Sequence, residues 1–340
     1  MNLYLITLIF VILFILVNYL LKKYNFLLDN LSYSDHKKFI SLKSIPLSGG
    51  LLCLVLVLFF FKDFGFFEKI LISCIYILGI LSDVNKINSP LIRIFAQAVI
   101  VGIIIISSQL FIPDIRIDFI DNILLTNYQF KFAFTLFCLL VLINGSNFMD
   151  GVNTLLSGYF ILVIVSIIYV FGIKNNILII SDIYQLLVFL IIFVFFNISS
   201  KSLLGDSGSY LLSLLIGFFS IELYSKYNDV ISPYYICLIL WYPAFENLFS
   251  IIRRQFFEKK KIKKADNLHF HHLLFKFLNK KIKTKETANN FTGVLINSIL
   301  LVVFFLAALA PNHTIYILCL ILFESILYLS LYLYLRYKID

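Results

Sequence analysis

Eleven apolar stretches divide the chain: Leu3–Leu21, Pro46–Phe61, Ile70–Leu81, Leu91–Ile112, Phe132–Ile143, Thr154–Phe171, Ile183–Phe196, Ser207–Leu223, Ser232–Ile252, Phe291–Ala310 and Thr314–Leu335. Short polar segments separate them. A helix that crosses a bilayer needs about 20 mostly apolar residues. Several of these runs are shorter, but their ends carry Gly, Asn and Ser, which a helix tolerates where it faces protein or a water-filled site. The pattern predicts an all-α, polytopic integral membrane protein of about eleven transmembrane helices, in a single domain over residues 1–340. The first stretch is expected to be retained as a helix. Its run is longer than the roughly 7–15 residues of a signal peptide, and no small-residue cleavage site precedes Lys22 and Lys23.

Composition agrees. Hydrophobic residues make up 61% of the 340 and charged residues 14%, against roughly 45–50% and about 25% in soluble domains. So much apolar surface cannot be covered in water by the few polar residues left. This excludes a water-soluble enzyme, a disordered tail and a secreted disulfide scaffold. The five cysteines all fall within apolar runs, without C-x-x-C spacing, and are expected to be buried packing residues.

Charge gives the sidedness. Loops following the odd-numbered stretches, with the C-terminal tail, hold 22 of the 28 Lys and Arg residues, and the alternate set holds 6. The positive-inside rule then puts the rich face in the cytoplasm, the N-terminus outside and the C-terminus inside. The net charge of +9 concentrates between Arg253 and Lys285, beside a span. There it is expected to set topology and touch anionic lipid rather than bind nucleic acid.

The unusual polar residues fall on that same basic face. One segment holds His36, Lys37, Lys38 and Lys43 and then Ile45-Pro46-Leu47-Ser48-Gly49-Gly50. The next holds Gly79 to Asp83, followed by Arg93 and Gln97. Beyond these come Asn144-Gly145-Ser146-Asn147-Phe148-Met149-Asp150-Gly151, then Asn197 and Gly205-Asp206-Ser207-Gly208-Ser209, and last Asp266, His269, His271 and His272. The corresponding loops, about 22–45, 82–90, 144–153, 197–206 and 253–290, would form one active-site face.

Each cluster also has a plainer explanation. Gly205–Ser209 suits a turn that caps the next helix, or a helix N-terminus that holds an anion beside a carboxylate-bound cation. Asp83 is costly near the bilayer without a partner, which favours a functional role over a cap. Asn144, Asn147 and Asp150, spaced three apart, form a stripe for a metal or polar ligand, or glue between helices. The three histidines suit phosphate contact, a solvated loop or a metal, although no cysteine is near to complete a zinc site. Gly49-Gly50 permits close approach to a ligand or to another helix.

In this order, IPxxGG, GxxSD with a following Arg and Gln, NxxNFxDG, GDSGS and DxxHxHH across about eleven spans, the motifs resemble those of the glycosyltransferase 4 family. These are the polyprenyl-phosphate N-acetylhexosamine-1-phosphate transferases, which include the phospho-N-acetylmuramoyl-pentapeptide transferase. The resemblance covers residues 36–272. It implies transfer of a sugar-1-phosphate from a UDP-N-acetyl sugar to undecaprenyl phosphate with release of UMP. It also implies a Mg²⁺ cofactor, a multi-pass location in the bacterial cytoplasmic membrane with the site on the cytoplasmic face, and a homodimer. Asp206 matches the carboxylate that holds Mg²⁺, with Asn147 as companion ligand. Asp83 matches the second acid of an Asp-Asp pair and is expected to activate or orient the prenyl phosphate. Lys37 or Lys38, His269, His271 and His272 are expected on phosphates, and Asn144, Asp150 and Asn197 in the substrate pocket.

Three departures stand out. Ser82 occupies the place of the family's first Asp, Asn153 replaces a second acid, and the basic motif at His36–Phe39 is displaced from Gly49. The lone acid at position 83 favours an initiator of surface polysaccharide over the peptidoglycan enzyme. Two other classes fit a chain of this composition: a transporter, and an inactive scaffold homologue. Glu246 and Glu324, the clearest acids inside spans, form no repeat pair of the kind a transporter would place at its midplane.

Overall fold

The computed structural model describes residues 3–29, 44–257 and 268–339. These form fourteen α-helices: α1 (Leu3–Lys23), α2 (Ser48–Phe59), α3 (Phe66–Asp83), α4 (Pro90–Ser107), α5 (Asp118–Thr126), α6 (Tyr128–Met149), α7 (Leu155–Ile167), α8 (Ser181–Ile198), α9 (Gly205–Lys226), α10 (Pro233–Ile239), α11 (Trp241–Ile252), α12 (Phe270–Asn279), α13 (Lys285–Leu309) and α14 (Thr314–Ile339). The helices α7 and α11 continue into π-helical turns at Ile168–Lys174 and Arg253–Phe257. A two-residue strand, β1 (Leu28–Asp29), pairs antiparallel with β2 (Ile45–Pro46).

Every apolar stretch is helical over most of its length, but not every one is a full span. Among the described residues eight helices are long and apolar enough to cross a membrane, and α10 with α11 makes a ninth if the bent pair counts as one. The 12 residues of α2 reach about 18 Å at 1.5 Å per residue, short of a roughly 30 Å hydrocarbon layer. In α3, charges at Glu68, Lys69 and Asp83 interrupt an 18-residue helix. The amphipathic α5 was not anticipated by hydropathy.

The expected single span at Ser232–Ile252 is broken, with α10 and α11 meeting at 71°. Pro243 explains the break. It lacks an N–H, and its ring displaces the carbonyl four residues earlier. That carbonyl, on Ile239, instead accepts the Tyr159 hydroxyl at 2.6 Å.

The centre of the bundle is α9. Its span is 89% buried, against 17% for α1 and α14, which face outward. Gly205, Ser207, Gly208, Ser209, Ser213, Gly217 and Ser220 keep its surface small. Small residues let helix backbones approach closely where lipid gives no hydrophobic drive between helices. The helices α2, α3 and α6 pack directly on it. Of the two uses open to Gly49-Gly50, the structure shows helix packing: a Cβ on Gly50 would stand 2.7 Å from the Gly208 nitrogen.

At the end of the bundle away from the polar motifs, basic residues close helix ends. Lys69 donates to the carbonyls of Leu58 and Phe61, Lys174 to those of Ala308 and Leu309, and Arg116 to those of Asn228, Ile231 and Asn312. All five cysteines are free thiols. Cys53 is buried as expected, but Cys237 and Cys319 are exposed on the outer surface, because apolar residues here face lipid as readily as core.

Candidate active site

The first turn of α9 carries Asp206 and is built from outside the helix. Gly205 has φ +70°, a left-handed conformation that favours glycine, and it turns the chain from the preceding loop into the helix. The orphan N–H groups of this turn go to α3. Asp83 Oδ1 accepts from Asp206 N at 2.9 Å, and Asp83 Oδ2 accepts from Ser207 N at 3.1 Å. A carboxylate at a helix N-terminus meets both the unsatisfied N–H groups and the positive end of the helix dipole. Asp83 thus caps α9 across 123 residues of sequence. The approach requires Gly79, whose added Cβ would lie 2.2 Å from Ser207 Cα.

The Asp206 side chain is held by one oxygen. Oδ2 accepts from Ser82 Oγ at 2.5 Å and from the Arg93 guanidinium at 3.1 Å, and Arg93 also donates to Ser82 Oγ at 2.7 Å. Asp206 and Arg93 side chains remain about a quarter exposed. Among the described residues Asp206 Oδ1 makes no hydrogen bond. Ser82, where the family pattern has a carboxylate, therefore sits between a base and an acid as a neutral bridge.

The end of α6 joins this cluster to the histidines. Ser209 Oγ donates to Asn147 Oδ1 at 2.8 Å and also contacts the Asp206 carbonyl. One residue on, the Phe148 ring stacks on His269 with centroids 5.0 Å apart. The His271 and His272 rings lie against Gly151, and His272 Nε2 would be 3.0 Å from a Cβ there. Asn144 and Asn147 lie in the last turns of α6, with Asp150 at its C-cap. Asn144 Nδ2 donates to Gln97 Oε1 and to the Leu140 carbonyl, which ties α6 to α4. Asn197 is buried. Its Oδ1 accepts from Thr154 N at 2.6 Å and its Nδ2 donates to the Ser202 carbonyl, so it binds the loop after α6 to the loop after α8. Lys37, Lys38 and Asp266 lie outside the described residues.

The histidine helix, α12, has its own anchor. Glu246 on α11, 1% exposed, accepts from Phe270 N at 3.1 Å and from the Tyr328 hydroxyl at 2.8 Å, and pairs with His269 Nδ1 at 2.9 Å. An acid inside a span was a visible signal for Glu246. Nothing in the sequence marks Tyr328, Ser209 was visible only as part of the Gly205–Ser209 cluster, and Arg93 carried no assigned partner.

The structure brings Asp83, Asp206, Asn147, Asn144, Asp150 and the three histidines to one end of the bundle. No group of three or more His, Cys, Asp or Glu among the described residues is placed to hold a metal ion. The donor set does suit Mg²⁺, which binds through one or two protein oxygens and keeps the rest for phosphate and water. Asp206 Oδ1 makes no hydrogen bond among the described residues, and the Asn147 amide oxygen is held by Ser209, whose hydroxyl also contacts the Asp206 backbone carbonyl.

The fold is that of a multi-pass helical membrane protein with one polar end, and comparisons with known proteins show what it is similar to. A family model described as glycosyl transferase family 4 matches residues 68–224, a little under half of the chain. It is 28% identical over 209 residues to the probable undecaprenyl-phosphate N-acetylglucosaminyl 1-phosphate transferase of Bacillus subtilis (strain 168). That region covers 60% of this chain and 56% of the relative, so the chain spans about half the length of the curated protein it matches.

Proposed function

We propose that the protein transfers an N-acetylhexosamine-1-phosphate from a UDP-sugar to undecaprenyl phosphate, as the first membrane step of a cell-surface polysaccharide. The observation that carries this reading is the convergence of Asp206, Arg93, Asn147 and the histidine helix at one end of the bundle. The reaction breaks one phosphoanhydride and forms another. An oxygen of the prenyl phosphate attacks the sugar-bearing phosphorus, and UMP leaves with the electrons of the old bridge. Little covalent work falls to the protein, so positioning and charge neutralisation should dominate.

In this reading Arg93 and the N-terminus of α9 offer positive potential to phosphate oxygens, and Asp206 with Asn147 would hold Mg²⁺. The ion, when bound, neutralises developing charge on the diphosphate. His269, His271 and His272 donate to phosphate oxygens, held in place by Glu246 and Phe148, and Lys37 or Lys38 adds charge from the β1–β2 segment. Asn144 and Asp150 shape the nucleotide pocket, and Asn197 holds the loops that frame it. Asp83 serves through its bonds to Asp206 N and Ser207 N, which set where the prenyl phosphate meets the first turn of α9. The basic loops support a cytoplasmic location for this end, and two copies would pair as a homodimer.

The test is UMP release by the purified protein with undecaprenyl phosphate, Mg²⁺ and a panel of UDP-N-acetyl sugars. Prenyl-dependent release that stops with EDTA and in Asp206→Ala is expected. A folded protein that releases no UMP with any sugar would overturn the proposal.

A further inference from the structure

Glu324 lies near the middle of α14, 3% exposed, and neither carboxyl oxygen has a hydrogen-bond partner among the described residues. The buried hydroxyl of Tyr242, at the start of α11, is equally unpartnered. Both line one crevice between the α10–α11 bend, α12, α13 and α14, together with Trp241, Phe270, Tyr328 and Leu331. It leaves about 30 Å³ for the centres of water-sized groups, and one such group needs about 10–15 Å³ on that measure. The proposed transfer uses neither Glu324 nor Tyr242.

An ionisable group inside a span that lines a crevice, without a hydrogen-bond partner among the described residues, is a functional-site candidate by default. The chemistry of the walls narrows the occupant. Two carboxyl oxygens and a phenol call for a group with several donors. Trp241 and Tyr328 line the crevice with aromatic rings, a residue type that attracts cations. The remaining wall is apolar and suits an alkyl chain. An anion would be repelled, and a bare metal ion would find too few oxygens.

We propose that this crevice is a binding site for a membrane-partitioned primary amine, its head against Glu324 and Tyr242 and its chain along the apolar wall. A primary ammonium is close to water in size, so the space admits the head. The carboxyl and the amine together carry no net charge, whichever atom holds the shared proton, and the pair leaves no bare charge in the membrane interior. Tyr328 bounds the crevice on one side, and its hydroxyl holds Glu246 on the other.

The chain has one tryptophan, Trp241, so its emission reports on this crevice alone. The experiment titrates the full chain in lipid nanodiscs with dodecylamine, with dodecanol as the uncharged control. A saturable change in emission is expected with dodecylamine, at a midpoint at least tenfold lower than for dodecanol. Glu324→Gln, nearly isosteric, should raise the dodecylamine midpoint at least tenfold, and Tyr242→Phe a few-fold. Equal potency of amine and alcohol, an unchanged midpoint in Glu324→Gln, or no saturable response would overturn the proposal. A second measurement avoids any variant. Dicyclohexylcarbodiimide should label Glu324 in the native protein, read by peptide mass spectrometry, and saturating dodecylamine should cut that labelling at least fivefold while dodecanol leaves it unchanged. Labelling indifferent to the amine would refute the site equally.

Discussion

Gly79→Ala tests the dependence of the site on the contact between α3 and α9. The added Cβ would stand 2.2 Å from Ser207 Cα, 2.6 Å from Ser207 N and 2.9 Å from the Asp206 carbonyl carbon. Ordinary contact begins at 3.4 Å, so the two backbones must part by about 1.2 Å. No flexible side chain is present to yield. Overpacking of this kind costs typically about 1–3 kcal/mol, and a displacement of about 1 Å at a reacting centre costs on the order of 10²-fold in rate. The shift separates Asp83 from the N–H groups it caps and moves Asp206 away from Ser82 and Arg93. The assay is prenyl-dependent UMP release together with thermal unfolding in detergent. Gly65→Ala is the control, because there the new Cβ meets only the flexible Glu68 side chain. We expect Gly79→Ala to lose about 10²-fold in rate and to melt at lower temperature, and Gly65→Ala to match the parent. A Gly79→Ala protein with parental rate and melting temperature would refute the reasoning, because α9 would then have no fixed seat on α3.

Asp83→Asn keeps one acceptor but turns an amide N–H toward the N–H of Ser207. One charge-assisted hydrogen bond is lost, worth about 1.5–3 kcal/mol, so thermal stability and UMP release should fall together. Loss of activity with unchanged melting would show instead that the carboxylate acts on substrate and not on α9. Glu246→Ala strips a buried acceptor from Phe270 N, Tyr328 and His269 and should lower the melting temperature. Glu246→Gln, which can still bond all three, should recover most of it. Equal melting of the two variants would contradict the anchoring role.

Much of this architecture was legible in advance, and what escaped did so for identifiable reasons. The apolar runs marked every long helix, because burial in lipid demands continuous hydrophobicity over a fixed length. Hydropathy overstated α2 and missed the break at Leu240, since a run of apolar residues does not record whether its helix is bent. Pro243 was the available clue. The small amphipathic α5 falls below any hydropathy criterion.

The site divides along the same line. Clustering of Asp, Asn and His in the basic loops marked residues that the structure gathers at one end of the bundle, because polar residues beside a membrane are expensive and their positions stand out. Their partners did not stand out. Ser82, Arg93 and Asp206 meet across more than 110 residues. So do Asp83 and the α9 backbone. Asn197, grouped with substrate contacts in the motif reading, is engaged with backbone on both sides.

The linear sequence by itself determined a helical membrane protein, the order of its polar motifs and the charge asymmetry of its loops. These follow from composition and from local length requirements, which need no contact between distant residues. Tertiary structure alone decided that Asp83 caps α9, that Ser82 bridges Arg93 to Asp206, that Glu246 anchors the histidine helix and that Glu324 lines a crevice without a hydrogen-bond partner among the described residues. Such pairings depend on how helices rotate and how closely they pack. A glycine at 79 or a proline at 243 sets that geometry through backbone sterics, which only the assembled bundle expresses.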